Sequence, residues 1–205
     1  MCVMVHDPAD TPADRSFTDR LLHRTFGQPR GLLGRLGGWV MAGGKDATIE
    51  WVLEQLSIRP TDRVLEIGFG PGDGIRMAAQ ATSEGSVAGV DHSTVMVRMA
   101  RDRNATAVDA GNVDLRHGRA SELPFETDSF EAAFSVNSMQ LWPDVHAGLD
   151  ELQRVLVPGG TAAFGFTHHA KQNPNELVDV LMSAGFESIE LHERNRAICA
   201  VVVTA

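Results

Sequence analysis

Apolar and polar positions along the chain follow two alternating periods from Asp46 onward. Short apolar runs predict five successive strands, at residues 63–68, 86–91, 113–117, 130–136 and 161–166. Apolar residues at helical spacing predict helices that flank these strands, at residues 46–59, 72–83, 93–109, 143–156 and 175–184. Two further runs, at 188–193 and 197–203, flank Arg194-Asn195-Arg196, a pattern typical of a hairpin.

The order of these elements predicts the fold class. Strand and helix alternate five times with short connections, which is typical of a parallel sheet covered by helices on both faces. With the hairpin added, we predict an α/β fold: a doubly wound, mostly parallel, seven-stranded Rossmann-like sheet with a C-terminal antiparallel hairpin. A ligand of such a fold binds outside the carboxyl ends of the strands, where the strand order reverses.

The first 44 residues lack this alternation, and we predict that they form a segment of their own ahead of a domain at 45–205. Residues 1–14 have little apolar content and are typical of a frayed tail, while residues 15–26 predict a short helix. Seven glycines between 27 and 44 weaken helix formation, although the apolar residues there keep helical spacing. Two interpretations stay open: a helical cover over the ligand site, or a segment packed on the domain surface.

Composition and charge narrow the function classes. The chain has 205 residues, and 43% of them are hydrophobic, which is enough for one sizeable core. Its 18 basic and 27 acidic residues give a net charge of −9, which disfavours nucleic acid as a partner. We predict no membrane span, because no run of about 18 apolar residues occurs, and we expect a cytoplasmic protein because no signal peptide is visible. Cys2 and Cys199 have no metal-ligand spacing, so we expect no metal site.

The strongest local signal is a glycine-rich loop between the first predicted strand and the following helix. Gly68, Gly70 and Gly72 let the backbone turn tightly and approach a ligand, because no Cβ is in the way. Asp91 ends the next predicted strand, where a carboxylate can accept hydrogen bonds from both ribose hydroxyls of a nucleoside. Taken alone, these features fit either a dinucleotide or S-adenosylmethionine.

Three details favour S-adenosylmethionine. The loop has Gly-x-Gly-x-Gly spacing rather than the Gly-x-Gly-x-x-Gly of a dinucleotide site. Pro71 lies where a dinucleotide loop offers backbone amides to a pyrophosphate, and proline has no N–H. Glu66 places an acid nearby, which suits a cationic sulfonium and amine better than a pyrophosphate.

These residues are part of a resemblance to a known protein family that covers roughly residues 45–205. The chain resembles the class I S-adenosylmethionine-dependent methyltransferases, in particular the small-molecule group that includes enzymes of ubiquinone/menaquinone biosynthesis. Six segments resemble landmarks of that family and follow its order, at residues 64–72, 90–96, 118–125, 129–137, 152–160 and 184–186.

The resemblance implies S-adenosylmethionine as cofactor and methyl transfer to a small-molecule acceptor. It also implies the cofactor-binding residues, which are Glu66, Gly68, Phe69, Gly70, Gly72, Asp91, His92, Met96, Arg119, Ala120 and Asn137. At position 119 the family often has an aspartate that contacts the adenine amino group, whereas an arginine side chain only donates hydrogen bonds. We therefore expect the backbone at Arg119 and Ala120 to contact the adenine edge.

Methyl transfer requires alignment and exclusion of water, because the sulfonium already activates the methyl group. A general base helps only when the acceptor is a hydroxyl or a protonated amine. His168 and His169 follow the fifth predicted strand and are candidate bases. The alternative is a non-catalytic nucleoside- or S-adenosylmethionine-binding protein of the same fold, which Arg119 and the lack of an obvious base leave open.

Overall fold

The computed structural model describes residues 46–170 and 172–204. Its helices are α1 (Asp46–Leu56), α2 (Asp73–Ala81), α3 (Thr94–Arg103), α4 (Ala105–Asp109), α5 (Val145–Val155) and α6 (Pro174–Ser183). Its strands are β1 (Arg63–Ile67), β2 (Ser86–Asp91), β3 (Val113–His117), β4 (Phe130–Val136), β5 (Leu156–Phe166), β6 (Ser188–Arg194) and β7 (Ala197–Val203). Single 3-10 turns lie at Met139–Leu141 and His168–Ala170.

The seven strands form one sheet in the order β3-β2-β1-β4-β5-β7-β6. Neighbouring strands from β3 to β5 are parallel, while β7 is antiparallel to both β5 and β6. The predicted fold class and its C-terminal antiparallel hairpin are therefore confirmed. The strand order reverses between β1 and β4, so the place where ligands bind in this architecture lies at the carboxyl ends of these two strands.

Apolar side chains fill both faces of the sheet. Along β1, Val64 packs in a core cluster with residues of α1, α2 and α3, whereas Leu65 packs in a second cluster with residues of α5 and α6. Because both faces of the sheet are buried at its centre, β1, β2 and β4 are buried almost continuously, whereas the outer strands β3 and β6 alternate or are largely exposed.

The prediction of one continuous helix at 93–109 is wrong, because Asn104 separates α3 from α4. The Asn104 side chain is buried, and its Nδ2 donates hydrogen bonds to the carbonyl oxygens of Ala100 (2.9 Å) and Gly72 (3.1 Å). An asparagine that binds backbone carbonyls in this way competes with helix continuation. The bond to Gly72 also fastens the loop after β1 to α3.

The fifth strand begins at Leu156, whereas the sequence pattern predicts a start at Thr161. Helix α5 ends at Val155 and the backbone is already extended at Leu156, so Pro158 is not what stops the helix. Leu156 pairs with Phe130 of β4 before the register shifts along the strand. This long-range pairing is invisible in the local Pro-Gly-Gly pattern.

The C-terminal hairpin turns at Asn195 and Arg196. Both residues have positive φ angles, 51° and 64°, as in the two-residue turns whose twist suits antiparallel strands. In β7, Cys199 is fully buried, and burial raises the pKa of its thiol to about 12. The thiol therefore stays protonated at neutral pH and packs as a small apolar group.

The tail and helical cover predicted for residues 1–44 lie outside the described residues, so the division from a domain at 45–205 stays a prediction. Within 46–170 and 172–204, no helix has both the length and the apolar character needed to cross a membrane.

Candidate active site

One carboxylate joins the loop after β1 to the end of β2. Asp91 is the last residue of β2 and is buried, and its Oδ2 accepts a hydrogen bond from the Gly70 N–H (2.9 Å). Its Oδ1 accepts from the Ser93 N–H at the start of α3 (2.8 Å). His92 Nδ1 also lies 3.8 Å from Oδ1. A carboxylate oxygen can accept more than one hydrogen bond, which suits Asp91 to bind a ligand's hydroxyl groups as well.

Gly70 marks the open side of the glycine loop. Its φ of +55° lies in the left-handed region that favours glycine. A Cβ placed on Gly70 would have no described atom within 4 Å, apart from its chain neighbours. A ligand can therefore approach this stretch of backbone without meeting a side chain of residues 46–170 or 172–204.

The other two glycines of the loop pack against protein. A Cβ at Gly68 would overlap the Ser138 side chain, which lies just beyond the end of β4. A Cβ at Gly72 would lie 2.7 Å from the Cβ of Ala100 in α3. Gly68 thus allows the ends of β1 and β4 to approach each other, and Gly72 allows the loop to lie against α3.

Glu66 and Phe69, both predicted to bind cofactor, have side chains that point into the protein. Glu66 is 2% exposed, and its carboxylate lies so close to Gly74 in the first turn of α2 that a Cβ there would overlap it. Phe69 is 3% exposed and lies in the core, against Gly89 of β2. The Phe69 side chain therefore supports the loop from below, and only its backbone is left to face a ligand.

His92 and Met96 flank Ser93 at the start of α3. The His92 side chain is about half exposed, and the His92 carbonyl oxygen lies 3.0 Å from Nε2 of His117, the last residue of β3. Met96 is buried in the first turn, where its N–H donates to Oγ of the N-cap Ser93 (3.4 Å). The structure thus places both predicted residues next to the end of β2.

Arg119 and Ala120 lie in the loop that follows β3. The N–H of Gly118 donates to the carbonyl oxygen of Asp91 (3.1 Å), which brings this loop beside the buried acid. The Arg119 side chain is exposed, and its carbonyl oxygen accepts from the Glu122 N–H (3.2 Å). Ala120 is half-buried and packs against the core on the α5 side.

Asn137 joins the carboxyl ends of β4 and β5. Its φ is +52°, a conformation that asparagine tolerates better than most residues, and its N–H donates to the Gly165 carbonyl oxygen (2.8 Å). Its Oδ1 accepts from the N–H (2.8 Å) and the Oγ1 (3.2 Å) of Thr167. His168 follows at this edge and is exposed, while the His169 side chain is outside the described part of the chain.

Sequence reasoning missed Ser138 as a residue of this edge. Its Oγ accepts a hydrogen bond from Nε1 of Trp142 (3.2 Å), whose ring packs edge-on against Phe164 with 6.4 Å between centroids. A single serine after a strand carries no signal that would have identified it.

The pair Glu151 and Arg154 of α5 was also missed, although its side chains bind the backbone of the loop after β3. The available signal was the spacing of opposite charges three residues apart, which places both side chains on one helix face.

These features fit the predicted cofactor. The open space beside Gly70 is one that a side chain would occupy, so glycine leaves it available to a ligand. Asp91 supplies the acceptor that ribose hydroxyls require. Both lie at the edge where the strand order reverses. Among the residues that the structure describes, no three His, Cys, Asp or Glu side chains are grouped so as to hold a metal ion.

Proteins of known sequence resemble this chain over most of its length. Residues 64–160 match the protein family described as methyltransferase domain. The chain is 28% identical over 168 residues to the uncharacterized methyltransferase YdaC of Bacillus subtilis, covering 78% of this chain and 91% of that protein. It is 30% identical over 149 residues to a demethylmenaquinone methyltransferase of Staphylococcus aureus, covering 72% of this chain and 61% of the relative.

Among solved structures, an S-adenosylmethionine-dependent methyltransferase from Aquifex aeolicus is similar with a TM-score of 0.72 and 16% identity, covering 82% of this chain and 97% of that one. This likeness shows the fold, while the sequence matches to methyltransferases extend across the glycine loop and the acid that follows it. The chain belongs to the class I S-adenosylmethionine-dependent methyltransferases.

Proposed function

We propose that the chain binds S-adenosylmethionine at the carboxyl ends of β1, β2 and β4 and transfers its methyl group to a small-molecule acceptor. The observation that carries this proposal is the hydrogen bond from the Gly70 N–H to Asp91 Oδ2, because it joins the open loop after β1, at the strand reversal, to a buried acid at the end of β2. When bound, S-adenosylmethionine supplies a methyl group that its sulfonium has already activated. The protein's residues bind, orient and exclude water.

On the nucleoside side, Asp91 accepts hydrogen bonds from the ribose hydroxyls while it keeps its bonds to the loop and to α3. His92 and Met96 flank the adenine, and the backbone at Arg119 and Ala120 contacts its edge. The position of these four residues around the end of β2 and the start of the loop after β3 supports this assignment.

On the methionine side, Gly70 allows the cofactor to approach the backbone, while Gly68 lets Ser138 at the end of β4 pack against the loop. Asn137 follows β4, on the other side of the strand reversal from this loop. Glu66 acts from the buried side of the loop, because its carboxylate lies against the first turn of α2 rather than on the open side that faces the ligand. Asn137 also holds Thr167, and through it the turn that carries the candidate base His168.

We propose a reduced quinone ring as the acceptor to test first. The Staphylococcus aureus relative acts, by its name, on demethylmenaquinone, although the chain spans only 61% of that protein. A ring hydroxyl that loses its proton makes the neighbouring ring carbon a better nucleophile. The position of His168 just after the carboxyl end of β5 supports our proposal that it accepts such a proton.

The test is methyl transfer from S-adenosylmethionine labelled in its methyl group to a reduced naphthoquinone that lacks a ring methyl. We expect label on the acceptor and an equal amount of S-adenosylhomocysteine. His168→Gln should lower the rate of methyl transfer, while the matched control His192→Gln, on the distant strand β6, should keep the wild-type rate. Tight binding without product from any acceptor tried would favour the alternative, a non-catalytic binding protein.

A further inference from the structure

The loop after β3, residues 118–125, is held by the sheet at its start and by side chains at its end. It leaves the sheet after His117, where the Gly118 N–H donates to the Asp91 carbonyl oxygen of β2, and its other described backbone bonds are local, from Glu122 to Arg119 and from Phe125 to Leu123. Its last residues, Leu123, Pro124 and Phe125, present three consecutive carbonyl groups. Backbone polar groups in a folded chain need partners, so these carbonyls identify what fixes the loop.

Two side chains of α5 bind this end of the loop. Arg154 donates from Nη2 to the Leu123 carbonyl oxygen (3.0 Å) and from Nη1 to the Phe125 carbonyl oxygen (2.8 Å). Glu151 Oε2 accepts from the Leu123 N–H (2.7 Å). Both backbone groups of Leu123 are therefore bound by one helix, and the Leu123 side chain is buried in the core between them.

The two α5 side chains also bind each other in fixed geometry. Arg154 Nε donates to Glu151 Oε1 (2.7 Å), and its Nη2 donates to Oε2 (2.8 Å). This bonding lowers the pKa of Glu151 and raises that of Arg154, so both stay charged at neutral pH. A planar guanidinium with five donors can hold a carboxylate and two carbonyls at once, which a lysine cannot do.

A second arginine, Arg116, binds the Pro124 carbonyl, which Arg154 does not contact. Arg116 of β3 donates from Nη1 to the Pro124 carbonyl oxygen, and its guanidinium lies 4.6 Å from the centre of the Phe125 ring. Asp114 orients it by an ion pair of 2.7 Å. All three consecutive carbonyls therefore accept from arginine side chains, two of them from Arg154.

The other end of the same loop lies at the candidate cofactor site. Gly118 donates its N–H to the Asp91 carbonyl oxygen (3.1 Å), so the loop begins beside the buried acid. Ala120 lies against α5, since a Cβ placed on Gly148 of that helix would be 3.3 Å from the Ala120 Cβ. Arg119 and Ala120 thus lie between a point fixed on β2 and a helix that also fixes the end of the loop.

We infer that Glu151 and Arg154 are positioning residues that hold the loop after β3 so that its backbone discriminates adenine from other bases. This inference rests on the proposed cofactor site. Neither side chain touches the cofactor in it, and both act through the loop. If the clamp is removed, the loop moves relative to Asp91, and the contacts that read the edge of the base lose their alignment.

The test compares two ligands that differ only at the base edge, S-adenosylhomocysteine and S-inosylhomocysteine, by calorimetric titration of the full chain. Wild type should prefer the adenine ligand. Arg154→Met should bind S-adenosylhomocysteine about tenfold more weakly, on the scale by which small misplacements weaken aligned sites, and its preference for adenine should collapse. Arg154→Lys keeps the charge and one carbonyl contact, so its preference should be intermediate.

The matched control is Arg63→Met. Arg63 also makes a two-pronged bond to a glutamate, Glu131, but at the amino ends of β1 and β4. Its loss should lower the melting temperature and leave base preference unchanged. A wild-type preference in Arg154→Met would overturn the inference; if that variant does not fold, a wild-type preference in Arg154→Lys would overturn it equally. Absence of S-adenosylhomocysteine binding by the wild-type chain would instead refute the proposed function.

Discussion

Two residues contribute different features to the candidate site: Asp91 supplies a fixed carboxylate, and Gly70 supplies accessible backbone. Asp91 holds two backbone N–H groups with its carboxylate, so the group proposed to bind ribose is already fixed before any ligand arrives. Gly70 contributes only backbone and open space. Such preorganisation lowers the ordering cost of binding, because the protein atoms need not rearrange.

Gly70→Val tests the open side of the loop. The variant should fold with a loss of about 1–2 kcal/mol, because a β-branched residue is strained at a left-handed φ, and it should lose S-adenosylmethionine binding because the side chain fills the open space beside the loop. Gly111→Val is the matched control, since Gly111 also has positive φ (+78°) and no described atom within 4 Å of an added Cβ, but lies before β3 at the amino edge of the sheet. Equal affinity of the two variants for the cofactor, measured by titration, would show that Gly70 is not at the site.

At the scale of elements, an ion pair fastens the starts of β1 and β4. The Arg63 side chain and N–H both donate to the Glu131 carboxylate, and this bonding holds the pKa of Glu131 below its ordinary value of 4.5. A carboxyl with a lowered folded pKa contributes stability that is present above its unfolded pKa and is lost as pH falls through the folded one. Glu151 has a lowered pKa for the same reason and adds to the loss.

Glu131→Gln should therefore flatten the fall of melting temperature with acidity. In wild type we expect the fall as pH drops below the ordinary glutamate pKa of 4.5 and through the lowered folded value, and in the variant a lower melting temperature at pH 7 with a shallower acid slope. The effect is modest, because both partners are partly exposed. Glu190→Gln, on an exposed stretch of β6, is the control. Parallel melting curves for wild type and Glu131→Gln across this range would contradict the assignment.

The elements themselves were largely predictable, because a parallel sheet buried on both faces requires apolar runs that the chain shows openly. What sequence reasoning missed depends on distant backbone. Asn104 interrupts a helical pattern because it binds the carbonyl of Gly72, and Leu156 is extended because it pairs with Phe130. Likewise, nothing local assigns Arg154 to the carbonyls of residues 123 and 125.

For the whole molecule, we propose that residues 1–44 cover the acceptor side of the site, while 45–205 form the cofactor-binding domain. A chain that begins at Lys45 should fold and bind S-adenosylmethionine with at most a few-fold loss of affinity, but should lose most methyl transfer, because water then reaches the reacting groups. Melting and titration establish folding and binding, and the labelled-methyl assay measures transfer. Full transfer by the shortened chain would assign residues 1–44 to surface packing instead.

The most direct measurement is the affinity of the full chain for S-adenosylmethionine with and without the Asp91 carboxylate. Titration calorimetry of Asp91→Ala should show binding weakened by about 2–3 kcal/mol, the scale of hydrogen bonds to a charged group. Ser93→Ala, which removes the Oγ that caps α3 beside it, controls for local disturbance of the helix and should change affinity little. An unchanged dissociation constant for a folded Asp91→Ala would contradict the site and the function built on it.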